Sequence, residues 1–148
     1  MWKTHRWLFI ALIVLTICRW VLAGTIELSE DEAYYHLWSE HPSLSYYSKG
    51  PGVAVAMGIS STIFGDSAFG IRFFSPLLGL ATSLLFFRLA RSIFDSNTAA
   101  WSTVLLNVLP IFNAGSILLT IDPLSIFFIG NHTRFRIKHL HRNLQYLA

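Results

Sequence analysis

Residues 29–52 read SEDEAYYHLWSEHPSLSYYSKGPG, a polar stretch between two strongly apolar segments. It holds four acids, four tyrosines, two histidines, one tryptophan and one lysine. Two kinds of chemistry are on offer. A carboxylate beside a hydroxyl can take its proton, and Asp31 is placed to do so. A lysine just before Gly50-Pro51-Gly52 stands at the start of a helix, where unpaired N–H groups attract an anion, phosphate above all. That lysine is Lys49, and at a membrane edge the phosphate at hand belongs to a lipid head. Asp122, at the mouth of a later apolar segment, adds a second acid of the kind that functions at membrane depth.

Each group also has a plainer reading. Ser29 with Glu32 three residues later is a capping box, and acids in a first turn complement the helix dipole. Glu30 and Glu32 then need no further role. The helix is expected over Glu30 to Glu40, with Tyr34, Leu37, Trp38 and His41 on one amphipathic face suited to the membrane interface. Asp122 before Pro123 suits an N-cap.

The elements that must position these residues follow from composition. The chain has 148 residues, 53% hydrophobic and 13% charged. A soluble domain carries about 25% charged residues, and a chain this short cannot hide so much apolar surface in one core. The expected class is all-α, a multi-spanning transmembrane protein with interfacial helices in its first extracytoplasmic loop. Spans are expected at about residues 7–23, 71–89 and 98–121, with an incomplete fourth from about 123. Lys3, His5 and Arg6 before the first span, with Arg88 and Arg91 after the second, place the N-terminus in the cytoplasm and loop 24–70 outside. A cleavable signal peptide is the rival for the first apolar run, but Arg19 and Trp20 stand just before the would-be site. Arg19 is expected to snorkel to the interface beside Trp20. Residues 51–65 are apolar but too short to span. Pro110, Asn113 and Gly115 are expected to kink or unwind the middle of the third span. After Gly130 the chain turns basic, with Arg134, Arg136, Lys138 and Arg142 and no acid, as in an amphipathic surface helix. His132, His139 and His141 there have no Cys or acid to complete a metal site. The single cysteine, Cys18, says nothing about redox compartment, and a net charge of +3 gives no reason to expect nucleic acid.

DEAYYHLWSEH, LSYYSKGPGVA and FGDSAFGIRFFSPLLG, in that order and followed by Asp122-Pro123, resemble the start of the dolichyl-phosphate-mannose–protein mannosyltransferase-like superfamily, which includes lipid A aminoarabinose transferases. The resemblance implies a partial GT-C-type fold and an inverting transferase that moves a sugar from a polyprenyl-phosphate carrier to an extracytoplasmic acceptor. It carries Asp31 and Asp122 as catalytic carboxylates, Lys49 as the grip on the carrier phosphate, and Glu32 and Tyr47 as binding residues. Arg72 matches a recurring arginine expected to anchor at the interface. The implied partners are the bilayer and a polyprenyl-phosphate-linked sugar, in the inner membrane. Ser48 and Gly50 depart from the family pattern, so a divalent metal gains no support from the residues present, and the cofactor stays unassigned. The likeness ends near Ile129. Residues 1–129 are thus expected as the N-terminal part of a membrane glycosyltransferase domain, and 130–148 as a basic tail outside the family, from a shifted frame or truncated gene. The alternative is an inactive small multi-pass membrane protein or a subunit.

Overall fold

The computed structural model describes residues 5–41, 43–46, 51–119, 125–133 and 135–136. Among them all regular structure is helical and no strand forms. The elements are α1 (Arg6–Thr25), α2 (Glu30–Glu40), α3 (Gly52–Phe64), α4 (Ala68–Arg72), α5 (Phe74–Ile93), α6 (Ser96–Val108) and α7 (Pro110–Gly115), with residues 125–133 also helical. Two stretches are long and apolar enough to cross a membrane, Arg6–Thr25 and Ala68–Ile93. Ile10, Ile13, Ile17 and Val21 form an apolar face of α1 that stays exposed, as a lipid-facing surface would.

Local chemistry sets most boundaries. Ser29 caps α2: its Oγ accepts from the Glu32 N–H at 3.4 Å, while the Glu32 carboxylate accepts from the Ser29 N–H at 3.0 Å. Gly65 ends α3 at φ +81°, a backbone conformation that disfavours side chains. Ser67 then caps α4 through the Gly70 N–H at 3.1 Å. Pro76 falls in the first turn of α5, where its missing N–H costs nothing. Asp95 caps α6, accepting from the N–H groups of Asn97 and Thr98.

The segment expected as a third span is divided into α6 and α7, unwound in its middle at Leu109. Leu109, preceding Pro110, is extended at φ −62°, ψ 126°, because proline crowds the residue before it out of the helical region. The Asn113 side-chain amide donates to the carbonyls of Asn107 and Leu109, satisfying groups that the break frees. Near the C-terminus, the helix over 125–133 passes through Gly130, where the composition changes, without ending there.

Two apolar clusters anchor opposite ends of the bundle. One joins Leu8 and Leu12 of α1 to Phe87 and Ala90 of α5 and to Ala99 and Ala100 of α6. Its membership makes α1 antiparallel to α5, and α5 antiparallel to α6. The other joins Tyr35 and Trp38 of α2, Val53, Ala54 and Met57 of α3, Ile71 of α4, and Leu119. The polar stretch over residues 29–46 therefore lies at the end remote from the N-terminus. The buried stripe of α2 is Glu32, Tyr35 and Trp38. Tyr34 and Leu37, expected to share a face with Trp38, are half exposed instead, since the helix turns its i, i+3, i+6 positions toward α3.

Candidate functional site

Beneath the first loop lies an ion pair with no solvent access. Arg72 Nη2 stands 2.7 Å from Glu32 Oε2, and both side chains are 0% exposed. Arg72 has five N–H donors, and each is used. Nε donates to Glu32 Oε1 at 2.8 Å. Nη1 donates to the carbonyls of Ala23 and Ile26 at 3.0 and 2.6 Å. Nη2 donates to Glu27 O and Glu32 Oε2, both at 2.7 Å. The bidentate fork matches the carboxylate plane, which only arginine does.

The carboxylate is equally occupied. Besides Arg72 it accepts from the N–H and hydroxyl of Ser29, at 3.0 and 2.9 Å, and from the N–H of Leu119 at 2.9 Å. Burial pushes the Glu32 carboxyl up, but the Arg72 bonds and charge with the Ser29 and Leu119 N–H groups outweigh it and hold it below the usual range. It stays a carboxylate. With its acceptor positions filled and no surface exposed, Glu32 organises the loop in this structure. Arg72, expected as an interfacial anchor, is the interior half of that pair. The reason is electrostatic: a guanidinium within an apolar helix finds its lowest energy against a carboxylate and carbonyls that no longer face water.

The pair ties together the end of α1, the start of α2, the end of α4 and the strandless segment after α7. Asp31, next to Glu32, is exposed in the first turn of α2. Leu119 is three residues before Asp122 in sequence, and Val53 is four after Lys49; both are buried against Tyr35 and Trp38 of α2. Tyr47, Lys49 and Asp122 lie outside the described residues. Nearby, a groove of about 630 Å³ opens between α2 and α3, bordered by His36, Glu40, Tyr46 and Asp66. His36 Nε2 lies 3.7 Å from Asp66 Oδ1. Trp38 and Tyr46 stack with ring centroids 4.7 Å apart, and the single proton of the Tyr46 hydroxyl is shared between the carbonyls of Trp38 and His41, each at 2.9 Å. These bonds hold residues 43–46 back against α2.

Arg19 also departs from expectation. It is 2% exposed and does not reach the interface. Its Nη2 donates to the side-chain oxygens of Asn113 and Asn107, at 2.7 and 3.2 Å. Trp20, on the same turn, stacks on Phe73 with ring centroids 5.3 Å apart and donates to its carbonyl at 3.0 Å.

The family model described as dolichyl-phosphate-mannose-protein mannosyltransferase matches residues 48–147. The chain belongs to that family. The mannosyltransferase-family match begins within the Tyr-Tyr-Ser-Lys element and runs through the basic residues after Gly130, which by composition alone fall outside it. A lipid A galacturonosyltransferase of Rhizobium johnstonii is 30% identical over 101 residues, which is 68% of this chain and 21% of that protein. The chain thus spans about a fifth of the length of this curated relative. No solved structure matches it. The family fits the two long apolar helices, since its members are membrane glycosyltransferases.

Sequence reading missed the joint role of Glu32 and Arg72. The signal was available in one respect: an arginine within the apolar run after FGDSAFGI calls for an acid to bury with it. Nothing in the sequence named Leu119.

Proposed function

We propose that this chain carries the acidic side of a glycosyltransferase site that moves a sugar from a polyprenyl-phosphate carrier to an acceptor outside the cytoplasmic membrane. Asp31 takes the proton of the acceptor hydroxyl. The freed oxygen attacks the anomeric carbon as the carbon–oxygen bond to the carrier phosphate breaks, with inversion. Lys49 neutralises the departing phosphate, Asp122 supports the attacking side, and Tyr47 lines the carrier's approach. In this reading the N-terminus is cytoplasmic and loop 24–70 is extracytoplasmic.

The observation that carries the reading is the Glu32–Arg72 pair with Leu119 attached to it. It ties the helix bearing Asp31 to the segment leading to Asp122, and three residues extend no farther than about 11 Å. The shared core below, from Tyr35 to Leu119, includes the first turn of α3, just after Lys49. The matched relative's name makes lipid A the first acceptor to assay and a galacturonosyl group the first sugar.

The test is sugar transfer in membranes that contain the native chain, Asp31→Asn or Lys49→Ala. Each substitution is expected to lower transfer by at least about a hundredfold, the scale of a lost general base or charge clamp. Equal transfer by all three overturns the reading. Cysteines introduced at 31 and 122 provide a check independent of turnover: failure to cross-link with a reagent of about 10 Å reach separates the two carboxylates and removes the site.

A further inference from the structure

Ser75 stands in the first turn of α5 and is 0% exposed. A hydroxyl inside a helix can return its proton to the carbonyl four residues back. Thr16 of α1, Ser83 of α5 and Thr103 of α6 do so, toward Leu12, Gly79 and Ala99 at 2.7, 2.8 and 2.8 Å. Ser75 reaches across the bundle instead. Its single proton is shared between the carbonyls of Gly115 and Leu118, 40 and 43 residues on, at 3.1 and 2.8 Å.

Those carbonyls need a donor. α7 ends at Gly115, and the chain leaves helical form over residues 116–119. The last carbonyls of a helix have no partner within it. The N–H groups of Ile117 and Leu118 both go to Ala114, and among the described residues the donor to Gly115 and Leu118 is Ser75. Water cannot stand in for a hydroxyl this deeply buried, and a buried carbonyl left unanswered is costly. Ser75 thus caps α7 from another helix.

The neighbouring contacts fix the same stretch. One turn along α5, a Cβ at Gly79 would stand 2.6 Å from Ser116 Oγ and 2.7 Å from Ser116 Cβ, so the two backbones meet there through the missing side chain. Arg19 of α1 holds the Asn113 amide at 2.7 Å. Leu119, next after Leu118, donates to Glu32 Oε1 at 2.9 Å. Asp122 follows three residues later.

We infer that Ser75 is a positioning residue for Asp122. Its hydroxyl sets the direction in which the chain leaves α7, and through that direction the place of the Asp122 carboxylate. The use of Asp122 in catalysis rests on the transfer reading, whereas the hold on residues 115–118 does not. Ser75 itself touches no substrate and gives up no proton to the reaction. Its loss therefore acts on the step that Asp122 serves and leaves donor binding, which falls to Lys49, as it was.

The test measures position and turnover separately. Ile93, exposed at the far end of α5, lies about 27 Å along the helix axis from Ser75, a range suited to pulsed electron resonance. The full chain, with Cys18→Ser, carries spin labels on Ile93→Cys and Asp122→Cys. A control pair uses Ile93→Cys with Val21→Cys on the exposed face of α1. Ser75→Ala is expected to at least double the width of the 93–122 distance distribution and to leave the control pair unchanged. Ser75→Thr, which keeps the hydroxyl, is expected to retain the native width. In membranes with Asp122 intact, Ser75→Ala is expected to lower kcat at least about tenfold, as a displacement on the order of 1 Å does. KM for the sugar donor is expected to hold, and Ser75→Thr to restore kcat. An unchanged 93–122 width in Ser75→Ala overturns the inference. So does widening of both pairs, which marks a general loosening, and so does a Ser75→Thr distribution as broad as that of Ser75→Ala. Native kcat in Ser75→Ala overturns it as well. A native chain that transfers no sugar sinks the transfer reading alone, because the distance measurement needs no turnover.

Discussion

Arg72 and Glu32 are 40 residues apart in the chain and joined by two hydrogen bonds, at 2.8 and 2.7 Å, with neither side chain touching solvent. Everything near the candidate carboxylates hangs on this contact. It consumes the charge of both partners and fixes four chain segments at one point.

Removing one partner strands the other as a buried charge. Glu32→Gln or Arg72→Met is expected to cost about 3–5 kcal/mol, read as a lower midpoint of thermal unfolding in detergent. The double variant Glu32→Leu with Arg72→Met is expected to recover only part of that loss. The carbonyls of Ala23, Ile26 and Glu27 lose their donors whenever Arg72 goes. Full recovery would mean that those carbonyls find water.

Acid should loosen the same joint. Glu32 is held below the ordinary glutamate range: burial opposes the charged form, but the Arg72, Ser29 and Leu119 contacts overcome it. A carboxyl with a depressed folded-state pKa stabilises above its unfolded pKa, and that stability is lost as pH falls through the folded value. The thermal midpoint of the native chain is therefore expected to fall from the ordinary glutamate range downward. In Glu32→Gln this contribution to the slope is expected to vanish. Parallel slopes in the two proteins would place the acid sensitivity elsewhere.

The Gly65–Gly70 connection tolerates little. A Cβ on Gly70 would run into the Gly65 carbonyl oxygen, a backbone atom that cannot swing away. Gly70→Ala is expected to cost about 2–3 kcal/mol by overpacking. Gly65→Ala meets no neighbour but must hold φ +81°, at about 1–2 kcal/mol. Circular dichroism melts of the two variants test the order, which reverses if the connection rearranges.

Two caps of the same residue type should differ. Ser67→Ala removes one bond to the Gly70 N–H, and is expected to cost about 1 kcal/mol. Ser29→Ala removes an acceptor for the Glu32 N–H and also a hydroxyl donor to the Glu32 carboxylate. A larger loss is expected at Ser29, by thermal or denaturant unfolding; equal losses would show that the second bond contributes nothing.

Much of this was written locally. The capping box gave α2 its start, and the helix spans Glu30–Glu40 as its pattern requires, because its decisive bonds join residues three apart. Pro110 broke the third apolar segment because a missing N–H and a crowded neighbour act within one turn. The all-helical class and the two long apolar helices followed from composition and run length. What the sequence left open were the partners of its charges. Arg19 read as a snorkelling residue and Arg72 as an anchor, since exposure is the default for a lone cation. Only the packing of α1 against α5, and the break before α7 that delivers Asn113, buried the first beside amides. Only the meeting of α2 with α4 buried the second beside Glu32, and brought in the Leu119 N–H from 87 residues away. Short-range hydrogen bonding is encoded in neighbouring letters. The choice of a distant counter-charge depends on which helices bury which faces, and that is settled by the whole fold at once.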